Sequence, residues 1–506
     1  MAALAVTGLL VAGCASPATP TDPPRSGGAR STDAKAPEPP ALPASLTGQR
    51  PEWKRCDAPE GGERPADDWR CAGLRVPLDH AKPDGETLTI ALIRKEARDK
   101  DRRIGSLLFN FGGPGASGVD YLPRAARDYA DLGRRYDLVS FDPRGVSRSS
   151  GVVCRDDKEL AAAEARTDVT PDTAAEEAAY VADGADFGAG CARRSGTLIP
   201  HTTTANTARD LDLVRHVLGD EKLHYFGISY GTELGAAYAH LFPSRVGRTV
   251  LDAVVDPTVG ATGHARNQAV GFQRALDNYL KSRGEEPARG NDRIVRLLDR
   301  LDREPLTVGG RKLTDGLAIT GIAITLYAES SWPLLTDALA KAERGDGSGL
   351  LRLADAYNDR DENGHYGTQS HSQRAISCAD SSERPTTAQA KALVPEFRKL
   401  SPVFGAFLAW DTAGWCARWP VKGEHADPEA SAPGAGPILV VGTTGDPATP
   451  YEGAERMAKE LGAGVGVLLS NEGEGHGAYG TSSCVTRTID RYLLDGEVPA
   501  YGTRCS

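Results

Sequence analysis

The pentapeptide at residues 227–231 constrains the fold of this chain more than any other stretch. It reads Gly-Ile-Ser-Tyr-Gly and fits the pattern G-x-S-x-G. The short apolar run 223–226 precedes it, and the segment 232–239, which is rich in small residues, follows it. This context predicts a strand, a sharp turn and a helix, with the Ser229 hydroxyl standing clear of the sheet. Because the two glycines lack a Cβ, the strand and the helix can approach closely around the turn.

Short apolar runs alternate with helical stretches along most of the chain. A helix is predicted at residues 207–218, directly before the run that leads to Ser229. Short buried strands with helices between them are typical of a mostly parallel sheet that is covered on both faces, so we predict an α/β fold. The predicted strands lie at residues 88–93, 106–111, 136–141, 223–226, 249–255, 437–442 and 465–470.

The alternation of strands and helices breaks between residues 261 and 435. This segment is mainly helical, for example at 271–282 and 293–301, and it is inserted between consecutive predicted strands. We therefore predict that residues 261–435 form a cap, which would shape substrate access and exclude water. The α/β core is then predicted in two parts, residues 49–260 and residues 436–506.

The N-terminal segment predicts export. Residues 4–11 form an apolar run that is too short for a membrane helix, which takes about 20 residues, and the run ends in Val-Ala-Gly-Cys. This pattern is typical of a lipoprotein signal, with residues 1–13 removed and Cys14 carrying the lipid. No Lys or Arg precedes the run, so we expect the translation start to lie further upstream. A plain secretory signal and a chance apolar start are the alternatives.

Residues 14–48 are rich in Pro, Ala, Ser, Thr and Gly and have no hydrophobic periodicity. Such a segment cannot bury enough surface to fold, so we predict a flexible tether that holds the folded region off the membrane. The predicted location is thus the outer face of the cell membrane, with the lipid as the only membrane contact.

The cysteine content agrees with export. Without Cys14, eight of the nine cysteines remain, and an even set in an exported protein indicates disulfides. No C-x-x-C pair occurs, so the spacing does not resemble a zinc site, and we expect neither a metal nor a cofactor. Pairing the cysteines that are neighbours in the sequence predicts the bonds 56–71, 154–191, 378–416 and 484–505.

The net charge of −10 argues against a nucleic-acid partner. Contacts to phosphates need clustered Lys and Arg, and no basic stripe is present in the sequence.

A catalytic serine needs a base, and the base needs an acid that orients it. Asp446 and His476 follow the last two predicted strands, and glycines flank His476. Open α/β sheets place functional groups at the carboxyl ends of their strands, and the order serine, acid, histidine is the one this strand–turn–helix motif uses. We predict a triad of Ser229, Asp446 and His476. Two other carboxylates near predicted strands are alternatives for the acid: Asp256 and Glu474.

A glycine-rich turn ends the second predicted strand. Residues 112–115 read Gly-Gly-Pro-Gly, which allows a backbone amide to approach the reacting atoms closely. We predict that the N–H groups of Tyr230 and Gly113 form the oxyanion hole, with Gly112 as the second choice. A plain turn is the alternative interpretation.

Taken together, these motifs resemble the α/β-hydrolase superfamily and, more narrowly, the bacterial tripeptidyl aminopeptidases and the related prolyl aminopeptidases. Phe111 stands where prolyl aminopeptidases usually carry His, which favours the tripeptidyl group. The resemblance extends over roughly residues 50–506, cap included, and rests on residues 112–118, 142–145, 227–232, 445–446 and 475–477, with 331–333 and 375–380 in the cap.

The resemblance implies a serine peptidase that releases short peptides from the free N-termini of larger peptides. Such an enzyme must hold the substrate ammonium, so the cap should offer a carboxylate in a closed pocket. The candidate carboxylates are Glu329, Asp337 and Asp380. An esterase or other acyl hydrolase is the alternative enzyme, because a triad alone does not choose between esters and amides. A binding lipoprotein without activity is the third possibility, which the complete triad disfavours.

Overall fold

The computed structural model describes residues 40–59, 62–424 and 429–506. Its strands, in chain order, are β1 (Lys54–Arg55), β2 (Trp69–Pro77), β3 (Thr87–Lys95), β4 (Gly105–Asn110), β5 (Tyr136–Phe141), β6 (Leu223–Ile228), β7 (Val246–Asp252), β8 (Leu306–Val308), β9 (Arg311–Leu313), β10 (Ile438–Gly445), β11 (Gly466–Glu474) and β12 (Thr503–Cys505).

Ten of these strands form one sheet, in the order β1-β2-β3-β5-β4-β6-β7-β10-β11-β12. The strands from β5 to β12 in that order run parallel, whereas β1, β2 and β3 add an antiparallel edge. The predicted α/β fold with a mostly parallel sheet is therefore confirmed. In the register of the sheet, Ile228 pairs with Asp252, and Asp252 pairs with Val441. The carboxyl ends of β6, β7 and β10 thus lie side by side.

Helices cover the sheet and form the cap. They are α1 (Ala44–Thr47), α2 (Gly118–Ala125), α3 (Asp157–Arg166), α4 (Ala174–Ser195), α5 (Thr204–Val217), α6 (Tyr230–Leu241), α7 (Ala261–Ser282), α8 (Pro287–Arg303), α9 (Asp315–Leu326), α10 (Trp332–Glu343), α11 (Ser348–Tyr357), α12 (Gln369–Asp380), α13 (Thr387–Leu400), α14 (Gly405–Gly414), α15 (Tyr451–Glu460) and α16 (Ser483–Asp495). Short 3-10 helices lie at Lys100–Arg102, Leu132–Arg134, Ile199–His201, Pro243–Arg245 and Glu329–Ser331.

The segment between β7 and β10 contains α7 to α14 and the β8–β9 hairpin. Apolar side chains of α7 to α11 form much of a hydrophobic core separate from the two that flank the sheet, whereas those of α12 belong to one of the sheet cores. The helices α3 and α4, between β5 and α5, also pack on this segment: the ring of Tyr180 lies 5.9 Å from that of Trp410, and the Tyr366 hydroxyl donates to Glu164 at 2.6 Å. The helices α3 and α4 therefore contact the segment predicted as a cap, although they lie within residues 49–260, which the sequence analysis assigned to the α/β core.

The beginning of the folded region differs from the predicted tether. Residues 44–47 form α1, and Leu46 is buried in the main core. The Gln49 side chain donates to the carbonyl of Arg75 in β2 at 2.8 Å, which fixes the segment to the sheet edge. The predicted tether at residues 14–48 therefore extends too far, because Leu46 and Leu42 pack on the main core and dock the short helix. The predicted signal peptide and Cys14 lie outside the described residues.

All four predicted disulfides are confirmed. The bonded pairs are Cys56–Cys71, Cys154–Cys191, Cys378–Cys416 and Cys484–Cys505. Four disulfides are consistent with an exported protein, since such bonds persist in oxidising compartments. Within the described ranges, none of the helices has the length and apolar character that a bilayer span requires.

Candidate active site

Ser229 occupies the sharp turn between β6 and α6. Its backbone has φ 57° and ψ −126°, a region that non-glycine residues adopt only when their surroundings impose it. Two bonds impose it here: the Ser229 N–H donates to the Asp252 carbonyl at 3.0 Å, and the Thr232 hydroxyl donates to the Ser229 carbonyl at 2.6 Å. A Cβ on Gly227 would contact the carbonyl oxygen of Gly231, so this turn requires glycine. The predicted strand–turn–helix context is thus present.

Asp446 lies directly after β10 and is fully buried. Its Oδ1 accepts bonds from the N–H groups of Ala448 at 3.0 Å and Thr449 at 2.9 Å, and its Oδ2 accepts the Thr449 hydroxyl at 3.0 Å. Nδ1 of His476 lies 3.0 Å from both carboxylate oxygens. The structure therefore brings the predicted acid and base together, with the carboxylate oriented by the loop that carries it.

The electrostatics of His476 suit a general base. Burial alone would lower the pKa of His476, but the charge of Asp446 and its hydrogen bond outweigh burial and raise the pKa above 6.5. A neutral imidazole whose Nδ1–H donates to Asp446 presents Nε2 as the proton acceptor.

The cap contacts His476 directly. The backbone N–H of His476 donates to the backbone carbonyl of Tyr327 at 2.8 Å. The rings of the two residues meet edge to face, with centroids 5.2 Å apart. From α7, the Asn278 amide donates to Glu474 at 2.8 Å, two residues before His476. The cap thus holds the backbone of the loop that carries the base.

The glycine turn after β4 lies against Ser229. A Cβ on Gly112 would come within 2.8 Å of the Ser229 Cβ, and both Gly112 and Gly113 have positive φ, at 88° and 105°. The N–H of Gly112 donates to Oδ1 of Asn110 at 3.1 Å, which leaves Gly113 as the better donor for an oxyanion. Tyr230 is the first residue of α6, where the N–H groups have no partner within the helix. The oxyanion hole stays a prediction, with a plain turn as its alternative.

Neither alternative acid contacts the His476 ring. Asp256 forms an ion pair with Arg456 at 2.8 Å and accepts the Thr258 hydroxyl at 2.7 Å. Glu474 binds the cap through Asn278, and burial, followed by the charge of Glu329, raises the pKa of Glu474 above its usual range.

The three candidates for the substrate ammonium differ in their surroundings. Glu329 is exposed, lies two residues after Tyr327 in the segment that contacts His476, and is close enough to Glu474 to raise its pKa. Both oxygens of Asp380 instead accept from Thr204, from its N–H and its hydroxyl, each at 2.7 Å. Asp337 pairs with Lys341 at 2.7 Å on the surface of α10. The geometry favours Glu329.

Sequence reasoning missed three residues at this site: Thr449, Tyr327 and Asp252. Thr449 follows Asp446 by three residues, and an Asp-x-x-Thr turn in which the two side chains bond was a detectable signal. Tyr327 reaches the site from a distant part of the cap, so no local pattern indicates it. Asp252 ends β7 and reaches residues 229, 478 and 479 through contacts that no local pattern indicates.

Comparison with known proteins agrees with this geometry. The sequence matches the family described as "alpha/beta hydrolase fold" over residues 105–310 and the family described as "TAP-like protein" over residues 401–505.

Three curated relatives cover most of the chain. It is 35% identical over 489 residues to "Serine protease Hip1" of Mycobacterium tuberculosis, covering 90% of this chain and 91% of that one. It is 31% identical over 483 residues to "Tripeptidyl aminopeptidase" of Streptomyces lividans, with 90% and 86% covered. It is 35% identical over 458 residues to "Carboxylesterase B" of Mycobacterium tuberculosis, with 86% of each covered. Its fold and these relatives show that the chain belongs to the α/β-hydrolase serine peptidases related to tripeptidyl aminopeptidase.

Proposed function

We propose that this peptidase is a secreted, lipid-anchored enzyme that removes short peptides, tripeptides foremost, from the free N-termini of larger peptides. The observation that carries the proposal is the buried Asp446–His476 pair, which lies beneath a cap that contributes both Tyr327 and Glu329 to its surroundings. A carboxylate in the segment that contacts the base can hold the ammonium at the end of a peptide chain, a group that the middle of a chain does not offer.

In the proposed mechanism, Ser229 Oγ attacks the scissile carbonyl while Nε2 of His476 takes the hydroxyl proton. The N–H groups of Tyr230 and Gly113 stabilise the oxyanion, each donor contributing about 3 kcal/mol in the transition state. His476 then donates the proton to the leaving amine, which departs. The short N-terminal peptide remains as an acyl group on Ser229. Water, activated by His476, hydrolyses this ester, and Asp446 stabilises the imidazolium in both steps.

The ammonium of the substrate is the group that separates an aminopeptidase from other acyl hydrolases. We assign its recognition to Glu329, an exposed cap carboxylate that lies two residues after Tyr327, whose carbonyl binds the backbone of His476. A tripeptide p-nitroanilide with a free N-terminus is expected to be cleaved, whereas its N-acetylated form is not. Glu329→Gln is expected to lower kcat/KM for the free tripeptide about 10- to 100-fold, since a charge-assisted hydrogen bond contributes about 1.5–3 kcal/mol.

Asp337→Asn serves as the matched control, because Asp337 is an exposed cap carboxylate that pairs with Lys341. It is expected to leave kcat/KM within about twofold of the wild-type value, as surface charges usually contribute little. Equal turnover of the free and acetylated peptides would contradict the aminopeptidase assignment. Selective turnover of short-chain esters would instead favour the second candidate function, an esterase, which the similarity to "Carboxylesterase B" supports.

The anchoring part of the proposal depends on Cys14. Replacing Cys14 by serine is expected to shift the enzyme from the membrane fraction to the medium, because the thiol that would carry the lipid is gone. Immunoblots of the sedimented membranes and of the medium measure the shift. A variant that still sediments with membranes to the wild-type extent would argue against lipid anchoring.

A further inference from the structure

Asp252, the last residue of β7, connects the two segments that carry the proposed nucleophile and base. Its backbone carbonyl accepts the N–H of Ser229 at 3.0 Å. Its side chain accepts the N–H of Ala478 on both oxygens and the N–H of Tyr479 on Oδ2, each at 3.0 Å. Ala478 lies two residues after His476, so a single residue joins the serine turn to the histidine loop.

Burying the carboxylate of Asp252 costs free energy. Its side chain is only 1% exposed, and no Lys or Arg among the described residues forms an ion pair with it. Burial raises the pKa of Asp252, and the hydrogen bonds from Tyr479 and Ala478 lower it without cancelling the effect of burial. The ionisable groups that face it are Asp446, His476 and the phenol of Tyr129.

A role limited to holding the loop does not require a charge at this position. A neutral acceptor such as an amide oxygen could satisfy a backbone N–H without the cost of burying a carboxylate. Asp252 does not touch the His476 ring, whose Nδ1 is held by Asp446. Its charge nevertheless acts on the imidazole, since it adds to that of Asp446 in raising the pKa of His476.

We propose that Asp252 is a positioning residue for His476, which fixes the histidine loop against the serine turn and places a second negative charge behind the imidazole. The inference rests on the proposed function, in which His476 is the base. Asp252 binds no substrate in this scheme. Its effect is therefore expected on kcat rather than on KM.

The test compares Asp252→Asn with Asp252→Glu, using a tripeptide p-nitroanilide with a free N-terminus and, separately, p-nitrophenyl acetate. Both variants are expected to lower kcat about 10- to 100-fold with KM within about twofold, because a small displacement of a catalytic group has effects of this order. In the wild type, kcat/KM should fall with decreasing pH around a midpoint above 6.5, since the base must be neutral. Asp252→Asn removes a negative charge and should move that midpoint to lower pH, whereas Asp252→Glu keeps the charge and should leave it in place.

Asp256→Asn is the matched control. Asp256 is also buried and also follows β7, but its partners are Arg456, Thr258 and Asn267, away from the histidine loop. This control is expected to lower the melting temperature while kcat per folded enzyme and the pH midpoint stay at wild-type values. Should Asp252→Asn not fold, the kcat of Asp252→Glu alone decides the positioning role.

The results separate this inference from the proposed function. If the Asp252 variants lose only thermal stability, with kcat and the pH midpoint unchanged, the positioning role is overturned while the proposed function stands. If the wild type does not cleave the tripeptide p-nitroanilide, or if His476→Ala is as active as the wild type, the proposed function itself fails.

Discussion

Replacing Ser229 by alanine is expected to lower kcat about a millionfold on a tripeptide p-nitroanilide, the order of effect seen when a triad serine is removed. The remaining groups can still bind substrate and polarise its carbonyl, but they cannot form the acyl-enzyme. The change should leave the fold intact, because alanine at φ 57° carries the same backbone strain as serine. The bonds that hold the turn come from backbone groups of residue 229, which the substitution keeps.

The measurement pairs steady-state turnover with labelling by a serine-directed fluorophosphonate. Wild-type enzyme should incorporate one label per chain, and Ser229→Ala should incorporate none, with an unchanged melting temperature. Activity retained above about one hundredth of the wild-type value would assign hydrolysis to another nucleophile, since the loss expected for a triad serine is far larger.

Replacing Asp446 by asparagine is expected to lower kcat about 10⁴-fold, with little change in structure. The N–H groups of Ala448 and Thr449 both donate to Oδ1, so the amide oxygen of asparagine should take that position and its NH₂ should take the place of Oδ2. The NH₂ group would donate to Nδ1 of His476, which lies 3.0 Å from the Oδ2 position, and would favour the tautomer in which Nδ1 carries no proton over the one in which Nδ1–H donates to the oxygen at Oδ1. The imidazole would then carry its proton on Nε2, the atom that must receive the proton of Ser229.

The pH profile provides a second readout for Asp446→Asn. Because the charge of Asp446 and its hydrogen bond raise the pKa of His476, their loss should move the acid midpoint of kcat/KM to lower pH. Asp256→Asn again serves as the control, a buried carboxylate removed without contact with the base. A kcat within about tenfold of the wild-type value would show that Asp446 does not orient the base, since the effect predicted for a triad acid is about a thousand times greater.

The parts of this protein that sequence reasoning predicted are those set by local patterns. The strand and helix that flank Ser229 are encoded within a few residues, and the glycines there are required by close backbone contact. The proximity of Asp446 and His476 could be predicted because parallel strands bring their carboxyl ends to one edge of the sheet. Cysteines close in the sequence paired because each bond joins neighbouring segments of the same region.

The parts that sequence reasoning missed depend on contacts between distant segments. The helices α3 and α4 contact the segment predicted as a cap because Tyr180 and Glu164 pack on side chains more than a hundred residues away. Edge strands such as β1 are short and exposed, so their apolar pattern is weak. Tyr327 meets His476 through a backbone carbonyl, which any residue type could supply.

The bond between the cap and the base makes the position of the histidine loop depend on the position of the cap. The carbonyl of Tyr327 holds the backbone of His476, so a cap that swung away to let a peptide in would leave the histidine loop without that support. A molecule with its cap displaced would then lack one of the contacts that hold its base in place. Such a dependence would limit cleavage to chain ends small enough to fit beneath the cap, because only these would reach an enzyme whose base is held in place.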